Sequence, residues 1–396
     1  MAIPDLDGLL AAGVRGARVF VRADLNVPMR EGVVADDSRI RASLPTIQRL
    51  ADAGARVIVA SHLGRPKGKP SLELSLRPLA GLLARGLGTG VSFCAECIGE
   101  RAEAAVRELG PGQVLLLENL RFHAGEEKND PDFAAALARL ADVYVNDAFG
   151  TAHRAHASTV GMVARVARAA AGDLLRMELE HLEVVRQPER PLLAILGGAK
   201  VSTKLGVMDA LAPHADALAI GGAMTYTFLA ARGAPVGASL VEPECIEDAR
   251  RVAAAAERAG RRLLLPTDHV VAEAVRAGAA TRVVERIPDG WIGVDIGPRT
   301  AASYADEARR ARTVFWNGPM GVFEIEGFGA GTEAVARGVA ECPGATVVGG
   351  GDSLAAVNRL GLAGRIGHLS TGGGASLEYV QGLTLPGVAA LERATR

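Results

Sequence analysis

The stretch LLAILGGAKVSTK, Leu192–Lys204, combines the two features that decide the fold of this chain. Its first part, Leu192–Leu196, is a short apolar run, which is typical of a strand buried on both faces of a parallel sheet. Its second part is a glycine-rich turn that contains Lys200 and Lys204. A buried strand that ends in such a turn predicts an open α/β sheet, in which ligands bind outside the carboxyl ends of the strands.

The same arrangement recurs on both sides of this stretch. Short apolar or β-branched runs alternate with longer helical segments, as in parallel strands joined by helical crossovers. We predict strands at Arg18–Arg22, Arg56–Ala60, Val114–Glu118 and Val143–Asn146, and then at Leu192–Leu196, Ala217–Ile220, Leu263–Leu265, Val314–Trp316 and Thr346–Val348. The predicted fold class is therefore α/β, with two Rossmann-like lobes, each a mostly parallel sheet flanked by helices.

A helix is predicted between the two sets of strands. The segment Asp173–Gln187 has leucines and valines at helical spacing and stops before Pro188, and Asp173 is a candidate N-cap after Gly172. We expect residues 173–187 to be the hinge helix. It would join an N-terminal domain, residues 1–172, to a C-terminal domain, residues 188–382.

Composition and charge exclude several classes of protein. The 396 residues are 49% hydrophobic, which is enough for two domains with a core each, and contain 44 Lys and Arg against 45 Asp and Glu. Because its basic and acidic residues are nearly equal in number, the chain lacks the basic surplus of a protein that binds nucleic acid or membrane surfaces. Residues 1–5 lack the basic and apolar regions of a signal peptide, so we expect a cytoplasmic protein. The four cysteines form no zinc or disulfide pattern, and we expect them to be buried and reduced.

Arginine and histidine follow the predicted strands of the first half. The turns there read RADLN (22–26), SHLGRP (61–66), NLRFH (119–123) and DAFGTAHRAH (147–156). The planar guanidinium binds carboxylate and phosphate through paired hydrogen bonds, so several arginines on one rim suit a small anion that carries both groups. The histidines lack the spacing of metal ligands, and hydrogen bonding to the anion is the interpretation that we favour.

Glycine follows the predicted strands of the second half, in turns at 197–200, 221–223, 318–321, 349–353 and 371–374. Glycine-rich turns at helix N-termini present backbone N–H groups to phosphates, which predicts a nucleotide site. Two of the five lysines, Lys200 and Lys204, lie in one such turn. Cations there are unfavourable without an anion to bind, although two exposed lysines at a helix start are the alternative. Asp352, beside exposed N–H groups, suits Mg²⁺ that bridges nucleotide phosphates.

Nine motifs occur in order along the chain. They are RADLNVP (22–28), DDSRIRASLPTI (36–47), SHLGRP (61–66), LLENLRFHAGEEKND (116–130), DAFGTAHRAHAST (147–159), GGAKVSTK (197–204), WNGPMGVFE (316–324), GGGDS (349–353) and STGGGAS (370–376). In kind and order they resemble the phosphoglycerate kinase family over nearly the whole chain. The resemblance implies reversible phosphoryl transfer between 1,3-bisphosphoglycerate and ADP in glycolysis, giving 3-phosphoglycerate and ATP, with Mg²⁺ bound as MgADP or MgATP.

The resemblance also implies the site residues. The phosphoglycerate would bind in the N-terminal lobe to Asp24, Leu25, Asn26, Arg39, His62, Leu63, Gly64, Arg65, Arg121 and Arg154. The nucleotide would bind in the other lobe to Lys200, Lys204, Gly222, Gly293, Asn317, Glu324, Gly350, Gly351, Asp352 and Ser353, with Asp352 toward the magnesium. The catalytic groups around the transferred phosphoryl would be Arg39, Lys200, Gly351 and Gly373.

Further expectations follow from the resemblance. The protein would be a monomer without nucleic-acid or membrane partners, would transfer the phosphoryl group directly in line after domain closure, and would return its tail, about 383–396, to the N-terminal lobe. The family often has Asp, Gly and Thr where Thr203, Ala223 and Ser353 stand, and a Met-Glu-Lys run at 175–177, so no interlobe salt bridge is carried over. The residues alone leave open another acyl-phosphate kinase, a two-lobed binding protein without catalysis, and an NAD-dependent dehydrogenase, although the dehydrogenase's glycine fingerprint is missing after the first strand.

Overall fold

The computed structural model describes residues 3–394. The chain forms two compact units, each with its own sheet and core. The N-terminal unit comprises the chain up to Leu179 together with the segment that starts at Thr384, and the C-terminal unit comprises Glu180–Leu383. The boundary lies inside the helix Asp173–Arg186, in the segment from which the sequence predicts the hinge.

The main sheet of the N-terminal unit has six parallel strands. The strands of this unit are β1 (Arg18–Ala23), β2 (Met29–Arg30), β3 (Val33–Val34), β4 (Arg56–Ala60), β5 (Val91–Cys94), β6 (Val114–Leu117), β7 (Val143–Asp147) and β8 (Arg168–Ala171). Their order in the sheet is β5-β6-β4-β1-β7-β8, and β2 pairs with β3 in a separate antiparallel hairpin. Because β1 lies between β4 and β7, the turns after these strands meet at one edge.

Helices connect these strands. They are α1 (Leu6–Ala11), α2 (Ser38–Asp52), α3 (Arg77–Leu87), α4 (Gly99–Glu108), α5 (Ala124–Glu127), α6 (Pro131–Ala138) and α7 (Asp173–Arg186). Single 3-10 turns occur at Leu72–Leu74, Leu120–Phe122, Phe149–Thr151 and Val163–Arg165, and a π-helical turn occurs at Ala157–Gly161. The C-terminal helix Pro386–Ala394 packs against this π-helical turn and β8, and the Gly387 N–H donates to the Ala152 carbonyl over 2.8 Å.

The alternation of side chains along β1 decides which residues enter which core. Val19 and Val21 are fully buried and share a cluster with Leu83 of α3. Phe20 points to the opposite face, where its ring stacks on Tyr144 with 6.2 Å between centroids. Both faces of the sheet are covered, which is why its strands read as apolar runs.

The C-terminal unit has a second parallel sheet of six strands and a three-stranded antiparallel sheet. Its strands are β9 (Leu192–Leu196), β10 (Ala217–Ile220), β11 (Arg262–Leu264), β12 (His269–Ala272), β13 (Thr281–Val284), β14 (Ile292–Ile296), β15 (Thr313–Asn317), β16 (Ala345–Gly349) and β17 (His368–Ser370). The parallel order is β11-β10-β9-β15-β16-β17, and the antiparallel order is β13-β12-β14.

The helices of this unit cover the parallel sheet. They are α8 (Leu205–Leu211), α9 (Met224–Ala231), α10 (Ile246–Arg258), α11 (Pro298–Arg310), α12 (Ala330–Ala340), α13 (Gly351–Arg359) and α14 (Gly374–Val380), after which α15 (Pro386–Ala394) belongs to the N-terminal unit. A 3-10 turn occurs at Pro243–Cys245 and another at Ala363–Arg365. The core between β15, α11 and α12 contains Trp316, Tyr304 and Val335.

The predicted α/β class with two mostly parallel sheets is confirmed, and each predicted strand overlaps an observed one. The strands that were not predicted are β2, β3, β5, β8, β17 and the three strands of the antiparallel sheet. These strands are short, and β8 is almost entirely alanine, which has little intrinsic preference for strands. Three of the four cysteines, Cys94, Cys97 and Cys245, are buried as expected, whereas Cys342 is half-buried. No helix within residues 3–394 has the length and apolar character to cross a membrane.

The start of α7 corrects one prediction. Asp173 is the first residue of the helix and not its N-cap, and the N–H groups of Leu174 and Leu175 instead donate to Asp147 Oδ1 over 2.9 and 3.3 Å. Asp147 ends β7 and is fully buried. Burial raises the pKa of its carboxyl to about 7, against an ordinary value of 3.8, and hydrogen bonds from Thr46, Leu175 and Leu174 oppose that rise.

We expect the free energy of unfolding of the Asp147→Asn variant to increase relative to that of the wild type as the pH rises from 5 to 8. The folded pKa lies above the unfolded one, so the wild type loses stability with rising pH until about pH 7, whereas the amide keeps an acceptor oxygen without the charge. The change in the difference between the two free energies of unfolding should be about 2 kcal/mol. Urea denaturation at pH 5, 6, 7 and 8 measures it.

Asp268→Asn is the matched control. Asp268 is also buried and accepts from the N–H groups of Arg299 and Thr300 at the start of α11. Burial raises its pKa, but the hydrogen bonds from Thr300 and Arg299 outweigh burial, and the pKa lies below its ordinary value. This variant should lose stability by an amount that stays constant from pH 5 to 8. A constant difference for Asp147→Asn as well would contradict the raised pKa of Asp147.

Candidate active site

Four turns meet at the carboxyl edge of the N-terminal sheet, after β6, β4, β1 and β7. The turn after β1 carries Asp24, whose Oδ2 accepts a 2.7 Å hydrogen bond from Nη1 of Arg39 near the start of α2. Asp24 is buried, and its other oxygen, Oδ1, has no hydrogen-bond partner among residues 3–394. A buried carboxylate oxygen without a partner is costly, and a ligand hydroxyl would satisfy it.

The turn after β4 forms hydrogen bonds with residues that follow the neighbouring strands β1 and β6. Asn26 Oδ1 accepts from the Gly64 N–H over 2.8 Å, and Nη1 of Arg121, from the turn after β6, donates to the Gly64 carbonyl over 3.0 Å. Gly64 has φ 62°, in the left-handed region that favours glycine. Leu25 and Leu63 are buried beneath the turn, so their contribution is through the backbone and the core.

The electrostatics of this edge favour the binding of an anion. His62 is buried, and burial together with Arg22, Arg121 and Arg39 holds its pKa well below the ordinary value, so the ring is neutral. Burial also lowers the pKa of Arg121; Glu127, 3.4 Å from its Nε, opposes this shift, and the charges of Arg22 and Arg154 add to it. Arginines that crowd one another in this way are stabilised by a bound anion.

The other predicted residues of this edge are more exposed. Arg65 is exposed on the turn after β4, and no hydrogen bond from its side chain is seen within residues 3–394. Arg154 is half-buried, and its Nε lies 3.3 Å from His153 Nε2. Arg22 departs from the strand-end pattern, because its side chain is fully buried and bonds inside the unit. It therefore does not line the rim.

In the C-terminal unit, the turn after β9 carries both lysines. Lys200 is exposed, whereas Lys204 is half-buried and its Nζ donates to Oδ1 of Asn317 at the end of β15. Burial lowers the pKa of Lys204 to about 8, and Asp352 opposes this shift. Lys204 follows β9, Asn317 ends β15 and Asp352 follows β16, and these three strands are neighbours in the sheet.

Two glycines are required by close packing. Gly222 has φ 68°, and a Cβ there would collide with the backbone of Gly198. A Cβ on Gly293 would overlap the ring of Tyr226. At both positions the absence of a side chain lets the surrounding protein pack this closely.

The remaining predicted residues lie at helix starts or in turns. Gly350, with φ 90°, precedes α13, Gly351 and Asp352 are exposed in its first turn, and Ser353 Oγ accepts from the Gly318 N–H over 2.7 Å. Gly373 has φ 57° and precedes α14 at the end of the neighbouring strand β17. Glu324 is exposed on the turn between β15 and α12, which bonds to β14 through the Val322 N–H and the Val294 carbonyl.

Sequence reasoning missed two buried residues beneath the N-terminal edge, Glu126 and Ser158. Both are fully buried, and Ser158 Oγ donates to Glu126 Oε1 over 2.5 Å. Glu126 lies in the polar run GEEKND, which has the composition of a solvated turn. No local pattern reveals that one of its two glutamates is turned into the core.

An edge of arginine and histidine in one α/β unit, and an edge of lysine and glycine-rich helix starts in another, are the features expected of a two-unit phosphotransferase. The family model for phosphoglycerate kinase matches residues 9–383. The phosphoglycerate kinase of Moorella thermoacetica is 58% identical over 377 residues, covering 94% of this chain and 96% of that protein. That of Rubrobacter xylanophilus is 57% identical over 381 residues, covering 96% of each.

Solved structures agree with the sequence comparison. The phosphoglycerate kinase of Coxiella burnetii superposes with a TM-score of 0.90 at 39% identity and covers 100% of both chains. That of Pyrococcus horikoshii superposes with a TM-score of 0.86 at 31% identity and covers 99% of both. The chain belongs to the phosphoglycerate kinase family. The family and the enzyme class predicted from the sequence, a kinase that uses a nucleotide, are confirmed.

We expect Gly222→Ala to raise the Kd for ADP by about tenfold or more, equivalent to roughly 1.4 kcal/mol. The new Cβ would push the Gly198 backbone and displace the turn that carries Lys200. Gly233→Ala is the matched control, because Gly233 has φ 72° but open space around a Cβ. The control should lose about 1 kcal/mol of stability and keep its nucleotide affinity. Equal affinities for both variants, measured by calorimetry, would show that Gly222 does not shape the nucleotide site.

Proposed function

We propose that this protein catalyses the reversible, Mg²⁺-dependent transfer of a phosphoryl group between 1,3-bisphosphoglycerate and ADP, giving 3-phosphoglycerate and ATP in glycolysis. Membership of the phosphoglycerate kinase family supports the reaction. The observation that carries the proposal is the pairing of Arg39 with Asp24 on an edge where the neutral His62 and Arg121 also lie. That edge offers donors for a carboxylate and a phosphate, and an acceptor for a hydroxyl.

The acid would bind to the N-terminal unit. Arginine side chains form paired hydrogen bonds to the phosphate and the carboxylate, and the neutral His62 adds one N–H. The free Oδ1 of Asp24 would accept the hydroxyl of 3-phosphoglycerate. The proposed contact residues are Asp24, Leu25, Asn26, Arg39, His62, Leu63, Gly64, Arg65, Arg121 and Arg154.

The nucleotide would bind to the C-terminal unit. The proposed contacts of its base are Gly222 and Gly293, and its phosphates would meet the N–H groups at the start of α13. Burial lowers the pKa of Lys204, and phosphates nearby would favour its charged form. The other proposed contacts are Lys200, Asn317, Glu324, Gly350, Gly351, Asp352 and Ser353.

The residues present fit a magnesium ion that arrives with the nucleotide. Within the described range 3–394, no group of three or more His, Cys, Asp or Glu side chains is placed to hold a metal ion. Mg²⁺ is usually bound by one or two carboxylates together with substrate phosphates, so a single exposed carboxylate is sufficient. We assign that role to Asp352. When bound, the ion neutralises charge on the phosphates.

The chemistry needs positioning and charge stabilisation. The attacking carboxylate of 3-phosphoglycerate has no proton to lose, so no general base is required. Lys200 and Arg39 would neutralise charge on the transferring group, and the N–H groups of Gly351 and Gly373 would donate to its oxygens. Because each ligand is assigned to its own unit, we propose that transfer follows closure about α7. We also propose a cytoplasmic monomer without nucleic-acid or membrane partners, in keeping with the net charge of −1.

A coupled assay of ADP formation from MgATP tests the function. The wild type should turn over only with 3-phosphoglycerate and magnesium, and acetate or aspartate should not replace the acid. Lys200→Ala should lower kcat by about 10²–10³ with nearly unchanged affinity for 3-phosphoglycerate, since Lys200 acts on the transferring group. Lys128→Ala, at an exposed lysine outside the proposed site, is the control. A loss of acid affinity as large as the loss of kcat would move Lys200 to ground-state binding. An inactive wild type that binds both ligands would overturn the proposal.

Arg39→Lys should lower kcat by about 10², because an ammonium does not reproduce the paired donors of the guanidinium. Arg41→Lys, on the same helix, is the control, since its side chain is exposed and pairs with Asp37. Circular dichroism and steady-state kinetics for both variants make the comparison. A normal kcat for Arg39→Lys would remove Arg39 from the catalytic groups.

A further inference from the structure

The buried guanidinium of Arg22 connects the candidate phosphoglycerate site to the interior of the N-terminal unit. Arg22 lies in β1 and has no exposed surface. Its Nη1 donates to the Ala23 carbonyl over 2.5 Å, its Nε donates to Ser158 Oγ over 2.9 Å, and its Nη2 lies 3.1 Å from His62 Nδ1. One side chain therefore joins the π-helical turn to a residue proposed to contact the substrate.

A carboxylate completes this chain of hydrogen bonds. Glu126 of α5 is fully buried, and both its oxygens accept from Ser158, Oε1 from the hydroxyl over 2.5 Å and Oε2 from the N–H over 3.0 Å. Ser158 thus donates its only hydroxyl proton to Glu126 and must accept from Arg22. The direction of every hydrogen bond from Glu126 to Arg22 is set.

The same logic sets the protonation of His62. A guanidinium only donates, so the His62 nitrogen that faces Arg22 Nη2 must carry a lone pair. A neutral ring has one N–H, which then lies on Nε2. The ring is neutral because burial, Arg22, Arg121, Arg39 and His156 all lower its pKa. Nε2–H is therefore the group that His62 has to offer an anion.

The other titratable groups near His62 do not provide an alternative partner for Nδ1. Arg121 donates to the Gly64 carbonyl and Arg39 to Asp24. His156 is buried, its pKa is lowered to about 3 by burial and by Arg121, Arg22 and Arg154, and its Nδ1 lies 3.9 Å from Glu126 Oε1. Arg22 is the group that meets His62 Nδ1, and Glu126 reaches Arg22 through Ser158.

We propose that Glu126 and Ser158 are positioning residues, which act through Arg22 to hold His62 as the Nε2–H tautomer and so aim a donor at the acid substrate. The proposal rests on the proposed function, because His62 is there assigned to the phosphoglycerate. Without the Ser158 hydroxyl, Arg22 Nε loses its acceptor. The guanidinium keeps its hydrogen bond to the Ala23 carbonyl but is less firmly oriented toward His62 Nδ1. The ring then exchanges between tautomers, and only part of the population presents the correct donor.

The tautomer is measured directly by NMR of protein labelled with ¹⁵N-histidine. The chain has 8 histidines, and a His62→Gln sample assigns the His62 signals. Two-bond ¹⁵N–¹H correlation spectra of the wild type should show one unprotonated nitrogen, Nδ1, and one protonated nitrogen, Nε2, without change from pH 6 to 8. An Nδ1–H tautomer in the wild type would overturn the proposal, whatever the activity.

Ser158→Ala is the test variant and Tyr144→Phe is its matched control. The Tyr144 hydroxyl donates to the Ser158 carbonyl over 2.8 Å, so its loss removes a buried hydrogen bond from the same residue but spares Arg22 and Glu126. Ser158→Ala should raise the KM for 3-phosphoglycerate about tenfold, with kcat and the KM for MgATP within about threefold, and should shift both His62 nitrogens toward averaged values. Tyr144→Phe should lose similar stability and keep the wild-type KM and spectrum.

Glu126→Gln is measured in parallel, so that the chain is tested even if Ser158→Ala does not fold. The amide keeps an acceptor for the Ser158 hydroxyl but cannot accept from both Ser158 donors, and a smaller change in the same direction is expected. A wild-type tautomer and KM in both variants would overturn the proposal. Equal KM changes in Tyr144→Phe would reduce Ser158 to a structural role. If the wild type shows no turnover with 3-phosphoglycerate, the proposed function fails, while the NMR result still decides the tautomer.

Discussion

Parallel strand pairing is the constraint on which both candidate sites depend. In the N-terminal unit, β1 pairs with β4 on one side and with β7 on the other, so turns that lie far apart in sequence end at one edge. Asn26 thereby reaches the Gly64 N–H, and Arg121 reaches the Gly64 carbonyl. In the C-terminal unit, the pairing of β15 with β9 brings Asn317 to Lys204 in the same way. Helices cover both faces of each sheet, so the strands that carry these turns are buried.

Both units place ionisable groups where water is excluded, which is unfavourable unless other groups compensate. Glu126 is compensated by Ser158 and by the nearby charge of Arg22, although burial still raises its pKa. Asp295 accepts from the N–H groups of Gly331 and Ile296, and burial raises its pKa to about 7. The apolar cores supply the stability that such groups require. The carboxylates order turns and helix starts, and the surplus of positive charge on the N-terminal edge is left for a ligand.

Much of the fold could be predicted, because a strand buried on both faces has to be apolar along its whole length. Leu192–Leu196 and Val143–Asn146 show that pattern and are strands within one residue of the predicted bounds. The edge strand β8 could not be found, since its three alanines form a strand only through pairing with β7. Asp147 caps α7 across 27 positions of sequence, so the adjacent Asp173 was the natural but incorrect choice. Local rules for caps fail where the acceptor comes from another element.

The sequence by itself determined the class of fold, the family and the residue types at the strand ends, because these depend on local hydrophobic patterns and on motifs of adjacent residues. Only the tertiary structure decided which strand-end residues reach the surface. Arg22 and Arg65 both follow apolar runs, yet Arg22 is fully buried between Ser158 and His62, whereas Arg65 is exposed. Burial is a property of what packs on top of a residue. The groups in this network come from α5, the π-helical turn and the turn after β4, which no single stretch of sequence contains.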